Sequence, residues 1–406
     1  MSGFKFKEVP GGGVTSALGF KASGVAAGVK YIGKRDIAVV YSDCEATVAG
    51  VFTTNTVKAS SVLLNMERVK SGKARAVVVN SGNANACNGP RGMEDARSMT
   101  AETARLLGIP EESVLVCSTG VIGQPMPMDR VLPGIGKAVE ALSENGGRDA
   151  AEAIMTTDTE IKECAVSFEL DGRTVTVGGM AKGSGMLHPN MATMLCFVTT
   201  DAAVEPGYMK ELVKYAADRS FNMVTVDGDS STNDSLLALA NGRAGNSKLK
   251  AGHAGCDIFR DALTEVCVSL AKAMARDGEG ATKLIEVKVV NAPTEKDASL
   301  AARSVASSTL FKAAVFGRDA NWGRILCAAG YSGAQFNPDA VDIFLGNVQV
   351  ASGGQGLPFD EEAALAVLSG DTVNVLIDFR EGTYGAVAWG CDLTYEYVKI
   401  NGDYRT

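Results

Sequence analysis

The sequence predicts an α/β fold, built as a layered α+β sandwich, for three reasons. Apolar runs typical of buried strands occur at residues 37–41, 46–52 and 76–79, and a further clear one lies at residues 373–379. Segments with helical periodicity are interspersed among the strand-like runs in both halves of the chain. No low-complexity linker and no short-period repeat interrupts this alternation. Such mixing favours layers of both element types over a helical bundle or a β-sandwich.

In the first half, three helices are predicted. The first covers residues 94–107 and ends at Gly108 and Pro110, and the others cover residues 128–142 and 149–155. Glycine and proline stop a helix because one favours left-handed backbone and the other lacks the amide donor.

A short strand at residues 114–117 and a hairpin complete the first half. Residues 164–170 and 174–177 alternate around Asp171-Gly172. Both positions of that pair tolerate positive φ, which a tight two-residue hairpin turn requires.

In the second half, the periodicity predicts helices at residues 206–220, 257–276 and 300–313. A strand is predicted at residues 284–290. Residues 227–234 are rich in Asp, Ser and Asn and are predicted to form a loop.

Composition excludes several classes of function. The chain has 406 residues, of which 46% are hydrophobic and 21% charged, and its net charge is −8. Both signs of charge are interspersed, so we expect no nucleic-acid partner, which would need a concentrated basic patch. No run of about 18 apolar residues is present, so no membrane span is expected.

The cysteines and the N-terminal segment predict a cytoplasmic protein. The nine cysteines are scattered and never form Cys-x-x-Cys, a pattern that favours reduced thiols over a disulfide framework or a zinc ribbon. The first twenty residues lack the continuous apolar region of a signal peptide.

Conventional catalytic groups are few. His188 and His253 are the only histidines, so we expect no histidine-rich metal site and few candidates for a Ser-His-Asp triad. No metal and no cofactor is predicted. The glycine-rich stretches 11–13 and 183–185 complete neither a dinucleotide fingerprint nor a phosphate-binding loop. A hydroxyl nucleophile would need a base other than histidine.

Thr193 could supply such a base itself. It lies where the glycine-rich loop 182–186 gives way to an apolar run, and cleavage after Ala192 would expose its α-amine. The ordinary pKa of an α-amine is about 7.7 to 8.0, which suits general-base catalysis near neutral pH. The threonine hydroxyl could make the cut by attacking the preceding carbonyl. On spacing alone, the pattern favours Thr193 as the first residue of a buried strand, because β-branched residues are common in strands.

Motifs along nearly the whole chain resemble those of the ornithine acetyltransferase family, also called glutamate N-acetyltransferases or arginine biosynthesis bifunctional proteins. They are Val51-Phe-Thr-Thr-Asn55, Asn80-Ser-Gly-Asn-Ala-Asn85, Ser118-Thr-Gly-Val-Ile-Gly123, Lys182-Gly-Ser-Gly-Met186, Pro189-Asn-Met-Ala-Thr-Met-Leu195, Asp277-Gly-Glu-Gly-Ala-Thr282, Gly317-Arg-Asp-Ala-Asn-Trp-Gly-Arg324 and Asn401-Gly-Asp-Tyr-Arg-Thr406. The resemblance implies the fold of self-cleaving N-terminal-threonine nucleophile enzymes, of the ornithine acetyltransferase and DmpA-like type.

The resemblance implies a precursor that cuts itself between Ala192 and Thr193. An alpha chain of residues 1–192 and a beta chain of residues 193–406 would stay together as a heterotetramer of two alpha and two beta chains. In the family, the threonine takes an acetyl group from N2-acetylornithine and passes it to glutamate, giving ornithine and N-acetylglutamate in arginine biosynthesis. Acetyl-CoA is a second possible donor, and no motif decides whether this chain accepts it.

The resemblance also assigns roles to single positions. Thr119 and Gly120 match the oxyanion-hole pair. The substrate-binding positions it implies are Thr156, Lys182, Thr193, Glu279, Asn401 and Thr406. Without the family, Thr119-Gly120 could be a strand-ending turn, Lys182 a surface lysine, Thr156 a cap, and Glu279 an exposed turn residue.

Two alternatives belong to other classes. A self-processing hydrolase, an aminopeptidase or deacetylase, would let water replace glutamate as acceptor. A binding or structural protein would remain uncut. We assign no step to residues 318–324 and treat His188 as a loop residue.

Overall fold

The computed structural model describes residues 6–188 and 194–403 of the chain. Within these residues, nine strands form a first sheet. They are β1 (Lys7–Glu8), β2 (Phe20–Val25), β3 (Ile37–Phe52), β4 (Lys73–Asn83), β5 (Val114–Val121), β6 (Lys162–Leu170), β7 (Arg173–Lys182), β8 (Leu195–Thr200) and β9 (Ser235–Ala240). Their order is β1-β6-β7-β8-β9-β3-β4-β5, with β2 paired to β3.

A second sheet of the described residues has the order β13-β12-β11-β14-β10-β15. Its strands are β10 (Leu284–Ala292), β11 (Asp342–Leu345), β12 (Val348–Ser352), β13 (Gln355–Gly356), β14 (Thr372–Asp378) and β15 (Tyr384–Cys391). β10 and β14 are parallel, whereas β10 and β15 are antiparallel.

The helices pack on and between the sheets. They are α1 (Ser60–Arg68), α2 (Gly89–Leu107), α3 (Met128–Glu140), α4 (Gly147–Ala153), α5 (Pro206–Arg219), α6 (Cys256–Arg276), α7 (Glu295–Ser307), α8 (Thr309–Gly317), α9 (Trp322–Gly330), α10 (Glu361–Ser369) and α11 (Tyr395–Asp403). No helix in the described part of the chain has both the length and the apolar character needed to cross a bilayer.

Helix α6 joins the two sheets into one core. It contacts β6 and β7 of the first sheet and β10 and β15 of the second. Leu263, Val266, Leu270 and Met274 recur at spacings of three and four residues, and all are buried, as expected for the apolar face of a helix. The predicted layered α/β fold is therefore confirmed.

Most predicted elements are present with shifted ends. The hairpin of β6 and β7 turns at Asp171 and Gly172, whose φ values are 53° and 69°, which confirms the turn prediction. The single helix predicted at residues 300–313 is wrong, because the chain forms α7 and α8 instead. Ser308 separates them with extended backbone, and its side chain accepts a hydrogen bond from Phe311 N at the start of α8.

The register of β7, β8 and β9 places three chain segments at one edge of the first sheet. Lys182, the last residue of β7, pairs with Leu195 at the start of β8, and Leu195 pairs with Ser235 at the start of β9. The loop before β9 reaches across to β5, where Asn233 Nδ2 donates to Ser118 O at 2.7 Å. Residues far apart in sequence therefore meet at this edge.

Candidate active site

A cavity of about 260 Å³ opens at this edge of the first sheet. Six of the predicted site residues line it: Thr119, Gly120, Thr156, Lys182, Glu279 and Asn401. Ala192, Thr193 and Thr406 lie outside the described residues. The roles implied for all nine residues stay predictions, but the fold brings the six described ones to a single cavity.

Thr119 and Gly120 lie inside β5 rather than in a turn after it. Gly120 has φ of +131°, and a Cβ there would lie 2.3 Å from the carbonyl carbon of Gly82 on β4. Only glycine fits this backbone conformation and this close approach of two strands. The strand therefore presents the Thr119 side chain and the Gly120 backbone to the cavity at a fixed position.

Lys182 is buried, with 3% of its surface exposed. Its ammonium donates to Thr119 Oγ1 at 3.2 Å. Burial lowers the pKa of Lys182 from its usual value, while the charge of Asp158 opposes that shift. The alternative that Lys182 is a solvated surface lysine is therefore wrong.

Asp158 ties two walls of the cavity together. Its Oδ1 accepts hydrogen bonds from Gly183 N at 2.7 Å and from Lys162 Nζ at 2.8 Å. Its Oδ2 accepts from Thr156 N at 3.1 Å. Burial alone would raise the pKa of Asp158, but the Lys182 and Lys162 ammonium groups and these hydrogen bonds lower it to about 2. Asp158 is therefore a buried carboxylate that stays ionised.

Lys162 extends this buried cluster away from the cavity. Besides Asp158, its ammonium binds Asp277 Oδ2 at 2.5 Å. Asp277 also accepts from Thr159 N at 3.0 Å. Because Asp277 directly follows α6, the ion pair links that helix end to the start of β6, and the Thr159 hydrogen bond links it to the loop that carries Thr156.

Glu279 projects from the loop after α6 against the glycine-rich loop 183–185. Its backbone N donates to Ser184 O at 2.8 Å. Its Oε2 accepts from Asn401 Nδ2 at 2.8 Å. A Cβ on Gly185 would lie 2.4 Å from Glu279 Cδ, so glycine is needed for the carboxylate to sit here.

Helix α11 closes one side of the cavity through Tyr397 and Asn401. Tyr397 Oη donates to Asp227 Oδ2 at 3.2 Å. Asp227 also accepts from Leu187 N at 2.9 Å. Burial raises the pKa of Asp227 above its usual value, although its backbone hydrogen bonds oppose the shift.

Several cavity residues were not singled out from the sequence. Asp227, Asp229, Ser231 and Asn233 come from the loop predicted at residues 227–234, and Tyr397 comes from α11. The loop's run of Asp, Ser and Asn between two apolar segments was the available signal. Tyr397 carried no signal, because its position depends on how the C-terminal helix docks.

The chain next to Thr193 is anchored by Asp234. Met194 N donates to Asp234 Oδ1 at 3.0 Å, and Ser235 N donates to Met194 O at 3.1 Å. Asp234 is fully buried. Because Met194 is covalently bound to Thr193, these bonds hold the C-terminal neighbour of the predicted nucleophile at the edge where the cavity opens.

His188 and the segment 318–324 lie outside the cavity lining of the described residues. His188 Nδ1 lies 3.4 Å from Thr225 Oγ1. Arg318 follows α8 in left-handed conformation, and the Asn321 side chain caps α9. The segment 318–324 thus shapes the junction of two helices.

Comparison with known proteins finds relatives that match nearly the whole chain. The sequence model of the ArgJ family matches residues 21–406. The arginine biosynthesis bifunctional protein ArgJ of Symbiobacterium thermophilum is 57% identical over 397 residues, covering 97% of this chain and 99% of that protein. The protein of the same name from Caldanaerobacter subterraneus subsp. tengcongensis is 54% identical over 403 residues, covering 98% of this chain and all of that protein.

A solved structure is also similar. The crystal structure of arginine biosynthesis bifunctional protein argJ from Bacillus halodurans shows 44% identity and a TM-score of 0.50. The match covers 51% of this chain and 98% of the solved chain.

Proposed function

Because this chain belongs to the ArgJ family, we propose that it transfers an acetyl group from N2-acetylornithine to glutamate through an ester on Thr193. The resemblance seen in the sequence motifs is confirmed by the family match. The chain is an acetyltransferase of arginine biosynthesis, and these comparisons do not favour the hydrolase alternative.

One observation carries the mechanism. A hydroxyl and a backbone amide on β5, a buried ammonium on β7 and the Glu279 carboxylate line one cavity. The anchored residue Met194 lies one peptide bond after Thr193. This set supports an acyl transfer in which charge develops on a carbonyl oxygen, because such chemistry needs fixed donors near the nucleophile.

In the first half-reaction, the Thr193 hydroxyl attacks the acetyl carbonyl of N2-acetylornithine. Its proton passes to the free α-amine of the same residue, which acts as general base. The tetrahedral oxygen is held by the Thr119 hydroxyl and the Gly120 N–H. Collapse breaks the bond between the acetyl carbon and the substrate nitrogen. The leaving amine takes the proton back, so ornithine departs and an acetyl ester remains.

In the second half-reaction, the α-amine of glutamate attacks that ester. The same two donors hold the second tetrahedral oxygen. Thr193 oxygen leaves, recovers a proton and is ready for another donor, and N-acetylglutamate is released. Acetyl-CoA would load the same ester with its thiol as leaving group.

The charges of the cavity support amino-acid substrates. Lys182 can oppose a substrate carboxylate, and Glu279 can oppose a substrate ammonium. Asp227 and Asp229 add two further carboxyl groups to the lining. These acidic groups suit the side-chain ammonium that N2-acetylornithine and ornithine share. Thr156, Asn401 and Thr406 remain predicted substrate contacts.

The chain in the Bacillus halodurans crystal structure supports self-cleavage. It is matched over 98% of its length by only 51% of this chain, as expected for one product of a precursor that is cut near its middle. The heterotetramer of residues 1–192 and 193–406 remains part of the proposal, as does the cytoplasmic location.

The test compares wild type with Thr193→Ala and Thr193→Ser. We expect the denatured mass of wild type to show fragments 1–192 and 193–406, and that of Thr193→Ala to show an intact chain. Thr193→Ser keeps a hydroxyl and should still be cut. Acetyl transfer from N2-acetylornithine to glutamate should follow the cut. A wild-type chain that is folded, uncut and inactive would overturn the proposal.

The rate of acetyl loss measured with and without glutamate distinguishes a transferase from a hydrolase. The proposal expects N2-acetylornithine to lose its acetyl group at a high rate only when glutamate is present. Equal rates with and without glutamate would favour water as acceptor.

A further inference from the structure

The contact between Lys182 and Thr119 has a fixed direction. A lysine ammonium carries three donors and no acceptor, whereas a hydroxyl has one donor and can also accept. In the 3.2 Å hydrogen bond, Thr119 Oγ1 is therefore the acceptor. The hydroxyl's own proton cannot point at Lys182 and stays available for an oxygen atom in the cavity.

A neutral Lys182 would remove this constraint. A neutral amine can accept a hydrogen bond, so the Thr119 proton could turn toward Lys182 instead of toward the cavity. The hydroxyl would then face a substrate oxygen with its lone pairs. The charge on Lys182 thus decides which way the hydroxyl of Thr119 acts.

Three carboxyl groups and one ammonium group influence whether the buried Lys182 keeps its proton. Burial lowers its pKa, and the neighbouring Lys162 ammonium lowers it further. The carboxyl groups of Asp158, Asp234 and Glu279 raise it, and Asp158 contributes most among them. No carboxylate of the described residues lies within ion-pair distance of Lys182, so Asp158 acts on it through space.

We propose that Lys182 orients the Thr119 hydroxyl as an oxyanion donor, and that Asp158 is the positioning residue that keeps Lys182 protonated for this task. The inference rests on the proposed acetyl transfer and adds a role to Lys182 beside substrate binding. Asp158 is well suited to the role, because its hydrogen bonds to Gly183 N and Thr156 N fix the carboxylate beside the end of β7.

The proposal is tested by the pH dependence of kcat with both substrates saturating. The acid limb is expected from the Thr193 amine, which must be neutral, and the alkaline limb from Lys182, which must be charged. Asp158→Asn removes the negative charge, so the pKa of Lys182 falls. We expect the alkaline limb to move to lower pH by about one unit or more, and kcat above that limb to fall at least tenfold relative to wild type.

Asp201→Asn is the matched control. Asp201 is also buried, and its carboxylate also accepts two backbone hydrogen bonds, from Leu18 N at 3.0 Å and Thr176 N at 2.8 Å. The control shares the loss of a buried carboxyl group, but these hydrogen-bond partners of Asp201 do not line the cavity, whereas Asp158 binds the lining residue Thr156. Its pH profile should superpose on that of wild type.

A second variant, Lys162→Met, should shift the alkaline limb in the opposite direction. Removing that ammonium takes a like charge away from Lys182, so the alkaline limb should move to higher pH. Where Asp158→Asn fails to fold, Lys162→Met decides the question once circular dichroism shows that it is folded, because it also leaves the buried Asp158 and Asp277 without the Lys162 ammonium.

The proposal is wrong if Asp158→Asn leaves the alkaline limb in place, or if Lys162→Met moves it to lower pH. A wild-type enzyme without acetyl transfer would instead overturn the proposed function. The two failures are therefore distinguishable, because only the first occurs with an active wild type.

Discussion

Replacing Gly185 with alanine should displace Glu279 and reduce acetyl transfer about 100-fold. The new Cβ would lie 2.4 Å from Glu279 Cδ and 2.5 Å from each carboxylate oxygen. Carbon atoms in contact are about 3.5 to 4.0 Å apart, so the carboxylate must retreat by about 1 Å. Gly185 is not among the glycines with left-handed backbone, so backbone strain adds nothing.

The retreat has a defined consequence in the structure. Glu279 N is held by Ser184 O at 2.8 Å, so the side chain rather than the backbone has to move. Its 2.8 Å hydrogen bond with Asn401 Nδ2 would then break. A misplacement of about 1 Å can cost about 100-fold in rate, which corresponds to about 2.7 kcal/mol of transition-state stabilisation.

The assay is kcat/KM for N2-acetylornithine with glutamate saturating, measured on cut, folded protein. Gly136→Ala is the control, because Gly136 lies in α3 and a Cβ there meets no atom within 4 Å. It should retain wild-type activity. A Gly185→Ala enzyme with kcat/KM within about threefold of wild type would refute the assigned position of Glu279 in the substrate site.

Two further substitutions test other walls of the cavity. Gly120→Ala places a Cβ 2.3 Å from the Gly82 carbonyl carbon at a φ of +131°, so kcat should fall by about 100-fold or more as the oxyanion donors shift. Wild-type kcat in that variant would contradict the oxyanion role. Asn401→Ala removes the hydrogen bond to Glu279, so KM for one substrate should rise about fivefold. Its melting temperature should stay that of wild type, because Asn401 is exposed, and an unchanged KM for both substrates would argue against a binding role.

Local patterns in the sequence were sufficient for much of the fold. The Asp171-Gly172 hairpin and α6 follow from φ preferences and from apolar spacing over a few turns, and both are present in the structure. The junction between α7 and α8 was missed. Residues 300–313 keep helical spacing across it, and the break depends on a single cap at Ser308. Periodicity cannot detect one residue with extended backbone.

The residues of the candidate site were predictable where they belong to recognisable sequence motifs. Thr119, Lys182 and Glu279 were named from short motifs, and the structure brings them to one cavity. Asp158 and Tyr397 were not named. Each contributes through a partner distant in sequence, Gly183 for the first and Asp227 for the second.

The sequence by itself determined the family, the layered α/β class and the identity of the chemical groups at the site. Only the tertiary structure decided the protonation state of those groups. Lys182 is charged or neutral according to its burial and to Asp158, and a sequence does not contain those distances. The register of β7, β8 and β9 brings these groups together, and electrostatic effects in a buried site depend on separations of a few ångströms.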